Sequence, residues 1–372
     1  MQLFNKVLTA LLVIFLAVFL LLFILLPERA FSGTEKRALA GRPDLSFKKL
    51  LSGKFAAGWE GYLADQFPFR EYWVKLRGGA EVLLGKKEIN GVYLGREGYL
   101  LQKEDRSVEA LLQANLQAVN DFAGSLAAGI YFLPAPSALH VHRDKLPSFA
   151  EPGRLTLPAA VGAKLHPDIC VIDVQKVLTA HKDEYIYYRT DHHWTVAGAY
   201  YAYRETGAAM GFQPLARDDL RFKKACSDFS GTLAAKSTSP FVRPDEIFYY
   251  APPEELQLRV EYVDAGKSAD SLYEPRHLQT HDKYAFFLDG NHGLLRIYAR
   301  NGSGRRLLLV KDSYANCLIP FLTHHFAEIH VVDLRFFSGK LSDYAIENGL
   351  NEILFIYNTL NFAGEPSVRK LM

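Results

Sequence analysis

The sequence predicts an α/β domain with a mostly parallel sheet covered on both faces, preceded by a single N-terminal transmembrane helix. Two observations predict it. From Val7 to Leu26 every residue but Thr9 is apolar, a stretch of about twenty that as a helix spans a bilayer core of roughly 30 Å. Further on, short runs such as Ile130-Tyr131-Phe132-Leu133, Arg306-Leu307-Leu308-Leu309-Val310 and Glu352-Ile353-Leu354-Phe355-Ile356-Tyr357 recur between helix-length segments. Strands that are apolar at consecutive rather than alternate positions are buried on both faces, as in the parallel sheets of α/β proteins.

The apolar run follows Lys6 and stops at Pro27, and Glu28, Arg29, Lys36 and Arg37 come after it. Cations on both sides leave orientation weakly specified. A cleaved signal peptide is the rival reading, since Ala38-Leu39-Ala40 has the small-x-small form. The apolar stretch is longer than the usual 7–15 residues of a signal core and that site lies far beyond it, which favours an uncleaved anchor. No later stretch is long and apolar enough to span again. Residues 1–27 are therefore assigned as the anchor, with the remainder outside the cytoplasm at the cell membrane.

Residues 28–106 form a stalk and helical region. Phe47, Leu50, Leu51, Phe55, Trp59, Tyr62 and Leu63 recur at helical steps, Gln66-Phe67-Pro68-Phe69-Arg70 interrupts that pattern, and a second helix runs on to Leu84. Asn90-Gly91 and Glu97-Gly98 flank Val92-Tyr93-Leu94, a small hairpin signal. The catalytic domain is placed at 107–372: a helix at 107–122, a strand at Ile130–Leu133, a strand at Val171–Val174 and a helix at 195–210. Strands at 306–310, 328–332 and 352–357 close it, and the Pro-, Ser- and Asp-rich stretch 213–285 reads as an insertion near the site.

A formal net charge of +2 gives no basic excess for nucleic acid and no acidic tail. Cys170, Cys226 and Cys317 are an odd set without CxxC spacing, so no disulfide framework or zinc knuckle is signalled, and Cys170 and Cys317 read as small buried hydrophobes.

Two segments could carry chemistry. In Thr190-Asp191-His192-His193-Trp194-Thr195, Thr195 is a plausible helix N-cap. On extended backbone before it, Asp191 and His193 project to one side and His192 to the other. An Asp191 carboxylate can accept from His193 Nδ1 and leave Nε2 as a general base. In Leu308-Leu309-Val310-Lys311-Asp312-Ser313-Tyr314, a buried strand runs into a polar turn, and a helix is expected from about Tyr314. Ser313 then sits at the carboxyl end of a sheet strand, where open α/β sheets collect catalytic groups, with its own N–H at a helix N-terminus. A serine hydroxyl needs such a base to act as a nucleophile. Ser313, His193 and Asp191 are the expected catalytic residues. Asp333, Arg335 and Asn358 lie at other strand ends, where Arg335 either binds substrate or pairs with Asp333. Gly290 and Asn291 are candidate oxyanion donors or an ordinary turn.

The Asp191-His192-His193-Trp194 block resembles the signature of the DHHW protein family, which is similar to the SGNH-hydrolase-like proteins of bacterial alginate O-acetylation. The likeness includes Asp65-Gln66-Phe67-Pro68-Phe69-Arg70, Asn90-Gly91-Val92-Tyr93-Leu94-Gly95, Pro134-Ala135-Pro136-Ser137 and Lys311-Asp312-Ser313-Tyr314. The resemblance implies an SGNH-hydrolase-like α/β/α sandwich with the Asp-His motif ahead of the serine, and a Ser313-His193-Asp191 triad. It further implies O-acetyl transfer to, or acetyl-ester cleavage from, a cell-surface polysaccharide through an acyl-enzyme. The acetyl donor is implied to be a multispanning membrane O-acyltransferase, and no cofactor is expected. Lys311 stands where the Gly-Asp-Ser pattern of SGNH enzymes has glycine.

Two other readings compete. One is a non-catalytic glycan-binding or assembly protein that keeps the fold. The other is a metal-dependent hydrolase built from Asp191-His192-His193, His140-x-His142 and His324-His325, but none of these has the HExxH helical spacing.

Overall fold

The computed structural model describes residues 2–371, which divide into two units, 2–89 with 235–241 and 90–234 with 242–371. In the first unit, helix α1 (Gln2–Leu25) has mean hydropathy 3.3 and no buried residue. At 1.5 Å per residue its 24 residues reach about 36 Å. This one apolar helix fits a single-pass anchor or a signal segment. Helices α2 (Phe47–Leu51), α3 (Lys54–Asp65) and α4 (Arg70–Leu83) follow. Asp65 accepts from Arg37 Nη1 at 2.8 Å and Nη2 at 2.5 Å and from the Ala40 amide at 2.9 Å. Gln66 Nε2 donates to the carbonyls of Arg29 and Ala40, both at 3.0 Å. The 28–40 segment is thereby stitched to the α3–α4 corner.

The second unit is built around an eight-stranded sheet. Its strands, numbered in chain order, are β1 (Gly129–Ala135), β2 (Ile169–Val171), β3 (Arg259–Tyr262), β4 (Lys267–Ala269), β5 (Leu294–Tyr298), β6 (Arg306–Lys311), β7 (Glu328–Val332) and β8 (Glu352–Asn358). The spatial order is β4-β3-β5-β7-β6-β8-β1-β2. β7, β6, β8, β1 and β2 are parallel, whereas β5, β3 and β4 join antiparallel. The sheet is therefore mixed, not mostly parallel. For β3 and β4 the reason is connection length: only residues 263–266 link them. A parallel neighbour needs a crossover of a dozen residues or more. β3 and β4 come from the weakly periodic 213–285 stretch, whose short strands carry little pattern of their own.

The parallel half behaves as its composition demands. Leu307 and Leu309 of β6 face the core shared with Trp194 and helix 196–210, and Leu308 and Val310 face the core beneath the helix Glu109–Gly124. Both faces are covered, hence the unbroken apolar run. Two local expectations change. Cys170 is exposed because β2 is the outermost strand, while Cys317 is buried. After β6 the chain makes a 3-10 turn at Ser313–Cys317 and then a short helix, Ile319–Leu322, in place of one continuous helix.

Candidate active site

Ser313 follows the carboxyl end of β6, Asp333 that of β7, and Asn358 ends β8. The strand ends of the parallel half thus gather polar side chains at one edge, as open α/β sheets do. Asp312 caps the turn at Ser313. One carboxylate oxygen accepts from the Tyr314 amide at 2.9 Å. The other accepts from the Asn358 amide at 3.0 Å and Asn361 Nδ2 at 2.9 Å. Burial pushes the Asp312 carboxyl up, against these donors.

The second element is the bend 189–193. Its backbone is not extended, so side-chain alternation does not govern it. Asp191 and His193 come together instead because the carboxylate accepts the amide two residues on, Oδ1 lying 3.1 Å from His193 N. The same oxygen lies 2.5 Å from His193 Nδ1, and His193 Nε2 lies 2.7 Å from Ser313 Oγ, 120 positions along the chain. His192 does not face away: its ring sits 3.9 Å from that of His193, and its Nδ1 lies 2.7 Å from Thr232 Oγ1.

Thr195 caps the helix Val196–Met210 and holds its base in place. Trp194 Nε1 donates to the Tyr314 carbonyl at 2.8 Å, and the Tyr314 hydroxyl donates to the His192 carbonyl. These bonds tie the bend to the serine turn.

Asp191 Oδ2 accepts from the Thr232 amide at 2.7 Å and its hydroxyl at 3.0 Å. Burial alone would raise the Asp191 pKa, but the two imidazoles and the Thr232 donor outweigh it and hold the carboxyl well below the usual range. The approach needs Gly231, because a Cβ there would stand 2.2 Å from Asp191 Cβ. Tyr284 stacks on His193 with centroids 3.8 Å apart and planes 10° from parallel. Sequence reasoning missed Gly231, Thr232 and Tyr284. They lie in or next to the stretch read as an insertion, and no periodicity marks them.

Ser313 opens into a cavity of about 510 Å³. Its wall includes Lys103, Asp105, His192, Asp333, Arg335 and Glu365. Lys103 and Asp105 precede the expected domain start and were also missed. Arg335 pairs with Asp333 through Nε at 2.9 Å and Nη2 at 2.6 Å, and both residues line the cavity. Gly290 and Asn291 do not line it. Asn291 Oδ1 accepts from Lys311 Nζ at 2.8 Å, and Asn316 Oδ1 accepts from the same amine at 2.8 Å. Burial brings the Lys311 pKa down to about 8.

Asp191, His192 and His193 bring possible metal-ligand atoms within 4.8 Å of one another. Yet Asp191 holds His193 and Thr232, and the two ring nitrogens of His193 face Asp191 and Ser313. In this arrangement these side chains are engaged with one another, with Thr232 and with Ser313.

Residues 159–332 match the DHHW protein family. Over 246 residues the chain is 24% identical to the probable alginate O-acetylase AlgJ of Pseudomonas syringae pv. tomato, covering 60% of this chain and 61% of that relative. It thus spans about three-fifths of the length of the curated relative it matches. The fold is similar to that of a DHHW family protein from Eubacterium siraeum, with a TM-score of 0.63 at 24% identity over 76% of this chain and 95% of the other. It is also similar to Bacillus cereus PatB1, solved with a sulfonyl adduct, with a TM-score of 0.61 at 20% identity over 74% and 97%.

Proposed function

Starting from a chain whose residues 159–332 carry a DHHW-family domain, we propose that it is a membrane-anchored, extracytoplasmic serine O-acetyltransferase acting on a cell-surface polysaccharide. One observation carries this reading: the unbroken sequence of contacts from Asp191 through His193 to Ser313 at the mouth of a polar cavity. The likeness to AlgJ supports the acetyl chemistry, and α1 supports the anchor.

In the proposed reaction His193 Nε2 takes the proton of Ser313 Oγ as that oxygen attacks the acetyl carbonyl. Asp191 holds the Nδ1 proton and stabilises the imidazolium. The Ser313 N–H, first in its turn, serves the developing oxyanion. Collapse expels the donor's alkoxide, which takes the proton from His193 and leaves acetyl-Ser313. A sugar hydroxyl then enters and attacks the acetyl carbonyl as His193 takes its proton; the ester bond to Ser313 breaks, and His193 returns that proton to Ser313 Oγ. Arg335, Lys103 and Glu365 on the cavity wall supply charged partners for sugar hydroxyls. The donor in this scheme is a multispanning membrane O-acyltransferase.

Intact-mass and peptide mass spectrometry after incubation with an activated acetyl ester tests the proposal. The expected result is one added acetyl group on Ser313, discharged faster by oligosaccharide than by water. Faster discharge by water makes the protein an esterase, and no acetylation of Ser313 in folded protein ends the catalytic reading in favour of a glycan-binding role.

A further inference from the structure

A helix on the surface of a water-soluble domain turns its apolar stripe inward. In α4 the stripe is inverted. Tyr72, Trp73, Leu76 and Leu83 share one face of the helix, with Phe69 and Leu84 at its two caps, and all six are exposed, Leu83 at 80% and Leu84 at 83%. The opposite face is the packed one. Gly78 is buried so closely that a Cβ would stand 2.3 Å from the Thr238 carbonyl oxygen of the same unit. Helix α2 repeats the pattern with Phe47, Leu50 and Leu51 exposed. An outward apolar surface of this extent is not left to water.

Its neighbour shows what covers it. Phe19 of α1 lies 5.3 Å from Phe67 and 6.3 Å from Trp73, ring to ring, and Phe23 lies 5.8 Å from Tyr62. Phe19 is six residues before Leu25, the end of α1, hence about 9 Å inside that end at 1.5 Å per residue. If α1 crosses the bilayer, the start of α4 stands near the headgroup–acyl boundary, the depth of roughly 5–10 Å at which interfacial helices bury their apolar faces. Lys48, Lys75 and Lys87 are exposed on the same helices and their flanks, together with Lys49, Arg77 and Lys86, which pair with Asp44 and Glu81; Lys and Arg beside an apolar face favour an anionic lipid surface.

We infer that α2 and α4 lie in the membrane interface, with the Trp73–Leu76–Leu83–Leu84 stripe seated on lipid acyl chains beside α1. The occupant is phospholipid, and the function of the arrangement is to fix the unit flat against the membrane instead of letting it swing on a tether. This inference rests on α1 spanning the bilayer, as the proposed function requires.

Spin labels separate the two claims. Single nitroxides are placed by Leu12→Cys, Leu76→Cys or Leu84→Cys in the full chain carrying Cys170→Ser and Cys226→Ser. Each protein is reconstituted into vesicles of phosphatidylethanolamine and phosphatidylglycerol. The ratio of collisions with oxygen to collisions with a water-soluble nickel chelate is read at each site. Labels at Leu76 and Leu84 are expected to show a ratio several-fold above that of free label in buffer, below that at Leu12. Aqueous ratios at Leu76 and Leu84 with a deep label at Leu12 overturn the interfacial inference, keep the anchor, and point to a protein occupant. An aqueous ratio at Leu12 as well removes the anchor reading together with the inference.

Discussion

The Tyr284 ring lies flat on the imidazole of His193, with centroids 3.8 Å apart and planes 10° from parallel. Its hydroxyl is 3.4 Å from the Ser313 carbonyl oxygen. One aromatic side chain thus touches both the imidazole of the proposed base and the backbone of the proposed nucleophile.

Tyr284→Phe keeps the ring and is expected to keep acetyl-ester turnover within a few-fold. Tyr284→Ala frees the imidazole to tilt, and misplacement by about 1 Å costs on the order of 100-fold. Steady-state kinetics on both variants check this, with thermal melts to show that the fold persists.

Asp191→Asn should preserve the shape of the bend but lose the carboxylate that fixes the Nδ1 proton, lowering turnover by ~10⁴-fold. Thr232→Val removes one of two donors to Oδ2 and should cost far less. Because the folded-state pKa of Asp191 is depressed, its stabilisation is fully present above the unfolded value of about 3.9 and declines as pH falls below it toward the folded value. Acid unfolding of wild type and Asp191→Asn should therefore converge only as pH drops through that window. Parallel curves across it would contradict the assignment.

Gly231→Ala inserts a methyl group where the Asp191 side chain already stands. Overpacking of this kind costs about 1–3 kcal/mol. Turnover should fall more steeply than the melting temperature, since the carboxylate must move off His193. Full activity in a Gly231→Ala protein would show that the bend can shift without harm.

Lys311 is buried, with burial taking its pKa from 10.5 to about 8. Below about 8 both folded and unfolded chains hold the proton, and the folded chain bears the desolvation cost. Between about 8 and 10.5 the folded amine is neutral while the unfolded one is charged, so stability gains with pH, by roughly 3 kcal/mol across the window. Lys311→Met should lack this gain. Denaturant midpoints of both proteins from pH 7.5 to about 10.5 measure it, and identical slopes would refute it.

The parallel half of the fold was legible because a strand buried on both faces has no choice but to be apolar throughout: β6, β7 and β8 sit where their runs lie in the sequence. The antiparallel edge was not. β3 and β4 are four and three residues long, too short for periodicity to register, and their direction follows from a four-residue connection. The relation of Asp191 to His193 was anticipated on extended-strand geometry, whereas an Asp-to-amide turn produces it.

From the sequence alone come the apolar N-terminal helix, the expectation that Asp191, His193 and Ser313 act together, and the strand end beside which the serine stands. Those are local properties of hydropathy, spacing and residue type. Tertiary structure alone decided that His193 Nε2 reaches Ser313 Oγ across 120 positions, that Gly231 and Thr232 complete the carboxylate, and that Tyr284 covers the imidazole. Each of these is a contact between segments remote in sequence, set by how strands and loops pack, and no local pattern encodes the partner.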